Sequence, residues 1–189
     1  MYKRCTTEKA VLQQRKLEEC LLSVMQDKPY SEITVSSLCE QTDLSRKTFY
    51  RLFESKQDVL DSPIDRTLRE YIRFSLPQNQ LAPDISPELQ SFYYYWLERR
   101  GLLDVLSKNG ISTMLYERSI RHMLQEETDV LQQLGVMPTL QGNEEALMFF
   151  LSGILTLVVG WHHGGYQKSP VQMAVITEKL LSEPLVRFL

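Results

Sequence analysis

The chain has 189 residues, 43% of them hydrophobic, with 8 Gly, 8 Pro and a formal charge of −3. This length and apolar content suit a folded chain of one or two modest domains and exclude a low-complexity or disordered polymer. The weak acidity excludes nucleic-acid binding through bulk positive charge, so any such role falls to locally placed cations.

Apolar residues recur every three or four positions along most of the chain, which predicts an all-α fold without β-structure. Residues 1–60 hold 10 Lys and Arg against 9 Asp and Glu, whereas residues 61–189 hold 11 against 15. Any contact with a polyanion is therefore expected from cations of the first third, especially Lys3, Arg4, Lys9, Arg15, Arg46, Lys47, Arg51 and Lys56. The opening MYKRCTTEKA lacks the apolar core of a signal peptide, and a cytoplasmic location is expected. Cys5, Cys20 and Cys39 form no CxxC pair, so no disulfide framework or zinc site is expected, and Cys20 and Cys39 read as small buried residues.

Between Arg15 and Gln26, Leu17, Cys20, Leu21, Val24 and Met25 follow the helical period, with Lys16, Glu18 and Glu19 on the other side. Asp27-Lys28-Pro29 stops this helix. In ITVSSLCEQTDLSRKTFYRLF, Thr34 is an N-cap with Ile33 and Leu38 as a hydrophobic staple, and Ser45 is a second N-cap with Leu44 and Phe49 as another. Two short helices separated at 41–44 follow, with Val35, Leu38, Phe49 and Phe53 facing the first helix. This is a helix-turn-helix. Capping at Ser45 puts Arg46, Lys47 and Thr48 on the exposed first turn of the second helix, where its N–H groups and dipole favour phosphate. In this motif that turn enters the major groove. Arg46 and Lys47 can donate to guanine O6 and N7, and Thr48 can meet a thymine methyl. Thr34, through hydroxyl and backbone N–H, with Tyr50, Arg51 and Lys56, suits phosphate clamping.

The stretch from about Arg15 to Leu60, reading ITV at 33–35 and SRKTFYRLFESK at 45–56, resembles the DNA-binding domain of the TetR/AcrR family of bacterial regulators. The resemblance implies backbone contacts from Thr34, Ser45, Thr48, Tyr50 and Lys56 and base contacts from Arg46 and Lys47. Two residues depart from the family pattern: Asp43 stands where Gly is frequent in the turn, and Leu52 where His or Tyr is frequent.

Ser55 with Asp58 caps a further helix through Val59, Leu60, Ile64, Leu68, Tyr71 and Ile72, with Pro63 a candidate bend. PQNQLAPDISP at 77–87 is a loop. Ser86 and Pro87 open a helix through Phe92, Tyr95, Trp96 and Arg99, broken near Gly101, and the next segment runs to the Asn109-Gly110 stop. Ile111 to Gly135 reads as one long helix, Asn143 to about His162 as another, and Ser169-Pro170 start the last. The total is about nine helices. They divide into a helix-turn-helix domain at 1–54 and a helical ligand-binding and dimerisation bundle at 55–189.

The aromatic run at 92–96 cannot all face one way on a helix. A ligand chamber lined by Tyr93, Trp96, Met114 and Tyr116 is one reading; core packing and surface contact are the other. The run Ala146 to Trp161 is too short for a bilayer and apolar nearly all round, so part of it is expected to meet a second copy of the chain, with the last helix as companion. GWHHGGYQKSP is similar to the branch of the family that includes a regulator of dihydroxyacetone utilisation. His162 and His163 diverge on a helix, and His122 with Glu126 alone makes no metal site. There is no phosphate loop, HExxH or nucleophile elbow, so neither cofactor nor catalysis is expected.

The expected function is a sequence-specific homodimeric transcriptional regulator, a repressor of a partly palindromic operator. The resemblance implies control by a small effector. The alternative is a protein-recruiting co-activator that retains the same fold.

Overall fold

The structure, a computed structural model, describes residues 7–75, 86–122 and 144–182. Among these the fold is all-α: nine α-helices, one short 3-10 turn and no strand. The contacts divide the chain into two units. One holds the described residues up to Thr67 together with Val105–Ile111; the other holds the described residues within Leu68–Asp104 and those from Ser112 onward.

In the first unit α1 spans Glu8–Val24, α2 Val35–Thr42, α3 Arg46–Leu52, and α4 begins at Lys56 and ends at Ser75. Helix α1 starts about two turns earlier than its apolar period suggested, because Thr7 accepts from the Ala10 N–H and closes its N-terminus. Leu17, Leu21, Met25, Ile33, Leu38, Phe49, Leu52, Phe53, Val59, Leu60 and Ile64 make the core of this unit. Val35 is only half-buried. Losing either Phe49 or Phe53 from such a core costs about 3–5 kcal/mol.

Two expectations for α1 change. Glu18 is buried rather than solvated: it accepts from Ser62 Oγ at 2.6 Å and pairs with Arg66, joining α1 to α4. Burying a carboxylate demands such partners, and both come from a helix more than forty residues on. Cys20 is half-buried instead of fully so, with its Sγ donating to Gln41 Oε1. Pro63 leaves α4 unbroken as a single helix.

In the second unit α5 is Ser86–Glu98, α6 Arg100–Lys108, α7 Met114–Arg121, α8 Glu144–His163 and α9 Pro170–Ser182. Helices α4 and α6 each contribute residues to both units. The break after α5 falls at Arg99, ahead of Gly101. Arg99 Nη1 donates to the Tyr95 carbonyl while the Arg99 backbone N–H turns to the Trp96 carbonyl. The guanidinium also stacks 3.4 Å from the centre of the Tyr95 ring, which holds this arrangement.

After the Gly110 stop, with φ of 67°, a turn delays the next helix to Met114 instead of Ile111. Its expected reach to Gly135 lies outside the described residues, as does the loop expected at 77–87 except for Ser86 and Pro87, which already belong to α5. Helix α9 packs chiefly on α5, and α8 on α7. In the GWHHGGYQKSP segment α8 runs on to His163 and a turn follows: Gly165 and Tyr166 take positive φ, and Trp161 Nε1 donates to the Lys168 carbonyl. Ser169 and Gln172 then cap α9 reciprocally.

Candidate nucleic-acid interface

Helices α2 and α3 meet through a turn whose geometry comes from Asp43. Its φ of 53° and ψ of 39° are left-handed, and its N–H and that of Leu44 return to carbonyls of the last turn of α2. A short polar side chain tolerates this conformation where a branched one does not.

Ser45 then caps α3 by accepting from the Thr48 N–H at 3.1 Å, and the two hydroxyls lie 3.0 Å apart. Both side chains are thereby committed to fixing the first turn. At the other end Gln14 Nε2 donates to the Leu52 carbonyl, so α1 holds the C-terminus of α3. Leu52 is core, with 1% exposure, and a polar residue there would gain no route to a ligand without displacing packing.

Arg46, Lys47, Tyr50 and Arg51 are exposed on the opposite side of α3. Among the described residues Arg46 and Lys47 have no hydrogen-bond or ion-pair partner. Tyr50 lies edge-on to Phe49 with its outer face in solvent. Arg51 Nη2 donates to Gln13 Oε1 on α1 at 3.1 Å, which orients the guanidinium beside α3. The four side chains form two pairs one turn apart, Arg46 with Tyr50 and Lys47 with Arg51.

Thr34 occupies the N-cap of α2. Its hydroxyl accepts from the Ser37 N–H at 3.1 Å, and its own N–H donates to Ser37 Oγ at 3.2 Å. The backbone N–H expected to meet phosphate is thus occupied within a capping box, leaving the hydroxyl proton as the group able to donate outward. Lys56 is placed differently from a surface clamp. Its ammonium donates to the Tyr30 and Ile33 carbonyls, each at 2.6 Å, and lies over the Tyr30 ring. Burial lowers its pKa and pushes that of Tyr30 up to about 12, with Asp61 and Asp58 adding to the latter. Two of the three ammonium protons are spent on the segment that leads into Thr34.

That segment has a support that sequence reasoning missed. Asn109, at the end of α6, accepts from the Tyr30 N–H at 2.7 Å and donates to the Met25 carbonyl at 3.1 Å. Lys108 donates to the Gln26 carbonyl alongside. The Asn-Gly pair marks a helix stop in the sequence, but nothing local announces a partner about eighty residues away.

Electrostatics across the motif are uneven. An open cleft of about 580 Å³ beside the turn is lined by Glu40 and Asp43 as well as Leu44, Ser45 and Arg46. A polyanion is repelled by the carboxylate side of this cleft and favoured where Lys47 and Arg51 project.

The suggested ligand residues sort into two groups. Tyr93 and Trp96 are core, with the Tyr93 hydroxyl 2.6 Å from Thr177 Oγ1 and its ring edge-on to Trp161. The indole N–H of Trp96 is buried without a hydrogen-bond partner among the described residues. Met114 and Tyr116 are half-buried on α7, while Tyr93 and Trp96 lie in an aromatic cluster with Phe92, Tyr95 and Trp161. His122 is buried and Glu126 lies outside the described residues. His162 bonds the Tyr166 hydroxyl and faces Asp104 at 3.5 Å. No described helix is long and apolar enough to cross a membrane. Compared with known proteins, the chain matches no family model and no curated relative.

Proposed function

We propose that this protein is a cytoplasmic, non-catalytic DNA-binding regulator of the TetR/AcrR type that reads duplex DNA through α3. The observation that carries the reading is the division of α3 into two faces. Phe49 and Leu52 are buried, while Arg46 and Lys47 stand in solvent without intramolecular partners among the described residues. Unpaired cations on a short, capped helix of a helix-turn-helix are what base-edge recognition in the major groove requires.

The protein acts as a homodimer. Helix α8 leaves Phe149 71% exposed, and α9 leaves Val171, Val175 and Leu181 exposed, an apolar surface that a second copy would cover. Two-fold symmetry then sets two reading helices on half-sites about 34–36 Å apart. Occupation of a promoter by such a dimer represses it. The unsatisfied Trp96 N–H supports a small effector with an acceptor group in the second unit. A second reading, recruitment of a protein partner, draws on the Glu40 and Asp43 carboxylates beside the turn.

Selection from a random duplex pool tests the proposal. Enrichment of an inverted repeat is expected; a pool that stays random after repeated rounds contradicts it and favours the recruitment reading.

A further inference from the structure

Beside α3 a second open cleft, of about 440 Å³, is lined by Glu8, Lys9, Leu12, Gln13, Lys16 and Leu44. Five of these lie on α1, at spacings of three, four and seven residues that place Lys9, Gln13 and Lys16 along one face. Lys9 and Lys16 are exposed and have no hydrogen-bond or ion-pair partner among the described residues. They are separated by about 10 Å along the helix axis, so their heads can reach different phosphates of one strand.

This cleft is continuous with the recognition surface in two ways. Leu44, the residue before the α3 cap, lines both it and the cleft beside the turn. Gln13 lines it and also accepts from Arg51 on α3. Its cations outnumber its single carboxylate, Glu8, and Leu12, one of its lining residues, is 63% exposed. A sugar-phosphate strand matches this chemistry: phosphates for the lysines and apolar deoxyribose faces for Leu12.

We propose that this α1 face, with Lys9 and Lys16 as phosphate ligands and Gln13 orienting Arg51, is a second DNA-backbone contact flanking α3. It rests on the DNA-reading proposal above and extends it to residues outside the helix-turn-helix. Such contacts set register and affinity without carrying sequence information.

The test measures affinity of the full chain for its selected duplex across a series of salt concentrations, using Lys9→Gln with Lys16→Gln, and Glu8→Gln as a control of opposite electrostatic sign. The lysine variant is expected to bind all duplexes more weakly and to flatten the plot of log K against log salt by about 0.9 for each phosphate it no longer neutralises. Glu8→Gln is expected to tighten binding. Unchanged affinity and slope in the lysine variant overturn the inference, and a partner protein that binds wild type but not that variant would then mark the cleft as a protein site. Wild-type protein that selects no duplex defeats the parent proposal and this one together, whereas wild-type binding with indifferent variants defeats this one alone.

Discussion

The Lys56 ammonium lies 4.1 Å from the centre of the Tyr30 ring and donates to the Tyr30 carbonyl at 2.6 Å. A residue that in the sequence suggests a phosphate clamp therefore secures the approach to Thr34 from within the protein. Lys56→Met keeps the aliphatic stem and removes the charged donor. A loss of about 1.5–3 kcal/mol in urea unfolding is expected, the lower end being favoured by partial exposure. Its DNA affinity falls through misplacement of α2, so the salt slope stays at the wild-type value; a shallower slope would return Lys56 to the phosphate contacts.

Asn109 supports the same segment with both ends of its amide. Asn109→Ala strips partners from the Tyr30 N–H and the Met25 carbonyl and is expected to cost about 1–3 kcal/mol. Asn109→Asp keeps the acceptor but turns a carboxylate toward the Met25 and Val105 carbonyls that the amide now serves. Folding then favours the protonated form, raising the folded pKa of that carboxyl. Its contribution to stability is present at low pH and lost as pH rises through the folded pKa. Urea midpoints across mildly acidic to neutral pH check this, and a pH-independent deficit would count against it.

Asp43 separates backbone from charge. Asp43→Val forces a β-branched residue into left-handed geometry and is expected to lower the unfolding free energy by more than about 1 kcal/mol. Asp43→Asn suits the same geometry while removing the negative charge beside Ser45, so it should leave stability near wild type and tighten DNA binding. Equal affinity of Asp43→Asn and wild type would show that this carboxylate does not face the duplex.

The exposed apolar surface of α8 and α9 predicts self-association. Phe149→Arg with Val175→Glu places two charges on that surface without touching buried side chains of the unit. Sedimentation is expected to give a dimer for wild type and a folded monomer for the variant, whose DNA affinity drops by at least an order of magnitude as two half-sites become one. A variant that stays dimeric would move the interface elsewhere.

The local parts of this fold were legible in the sequence because caps and staples act over three to five residues. Thr34, Ser45, Ser55 and Ser169 each cap the helix their spacing announced, and the left-handed turn falls at Asp43. What escaped depends on partners distant in the chain. Glu18 reads as solvated until Ser62 and Arg66 arrive from α4, Cys20 reads as core until Gln41 is beside it, and Asn109 reads only as a stop signal. Within the candidate site the exposed cations were legible as residue types. Which groups are consumed internally, as the Lys56 ammonium and the Thr34 backbone N–H are, depended on packing.

Base reading by Arg46 and Lys47 is tested by the affinity of Arg46→Ala with Lys47→Ala for the selected duplex and for a scrambled one. Each bidentate contact contributes about 1–3 kcal/mol of discrimination, so the variant should lose on the order of tenfold or more in specific affinity. Its preference over scrambled DNA should collapse while its urea midpoint stays unchanged. Undiminished discrimination by a folded variant would show that neither side chain reads bases.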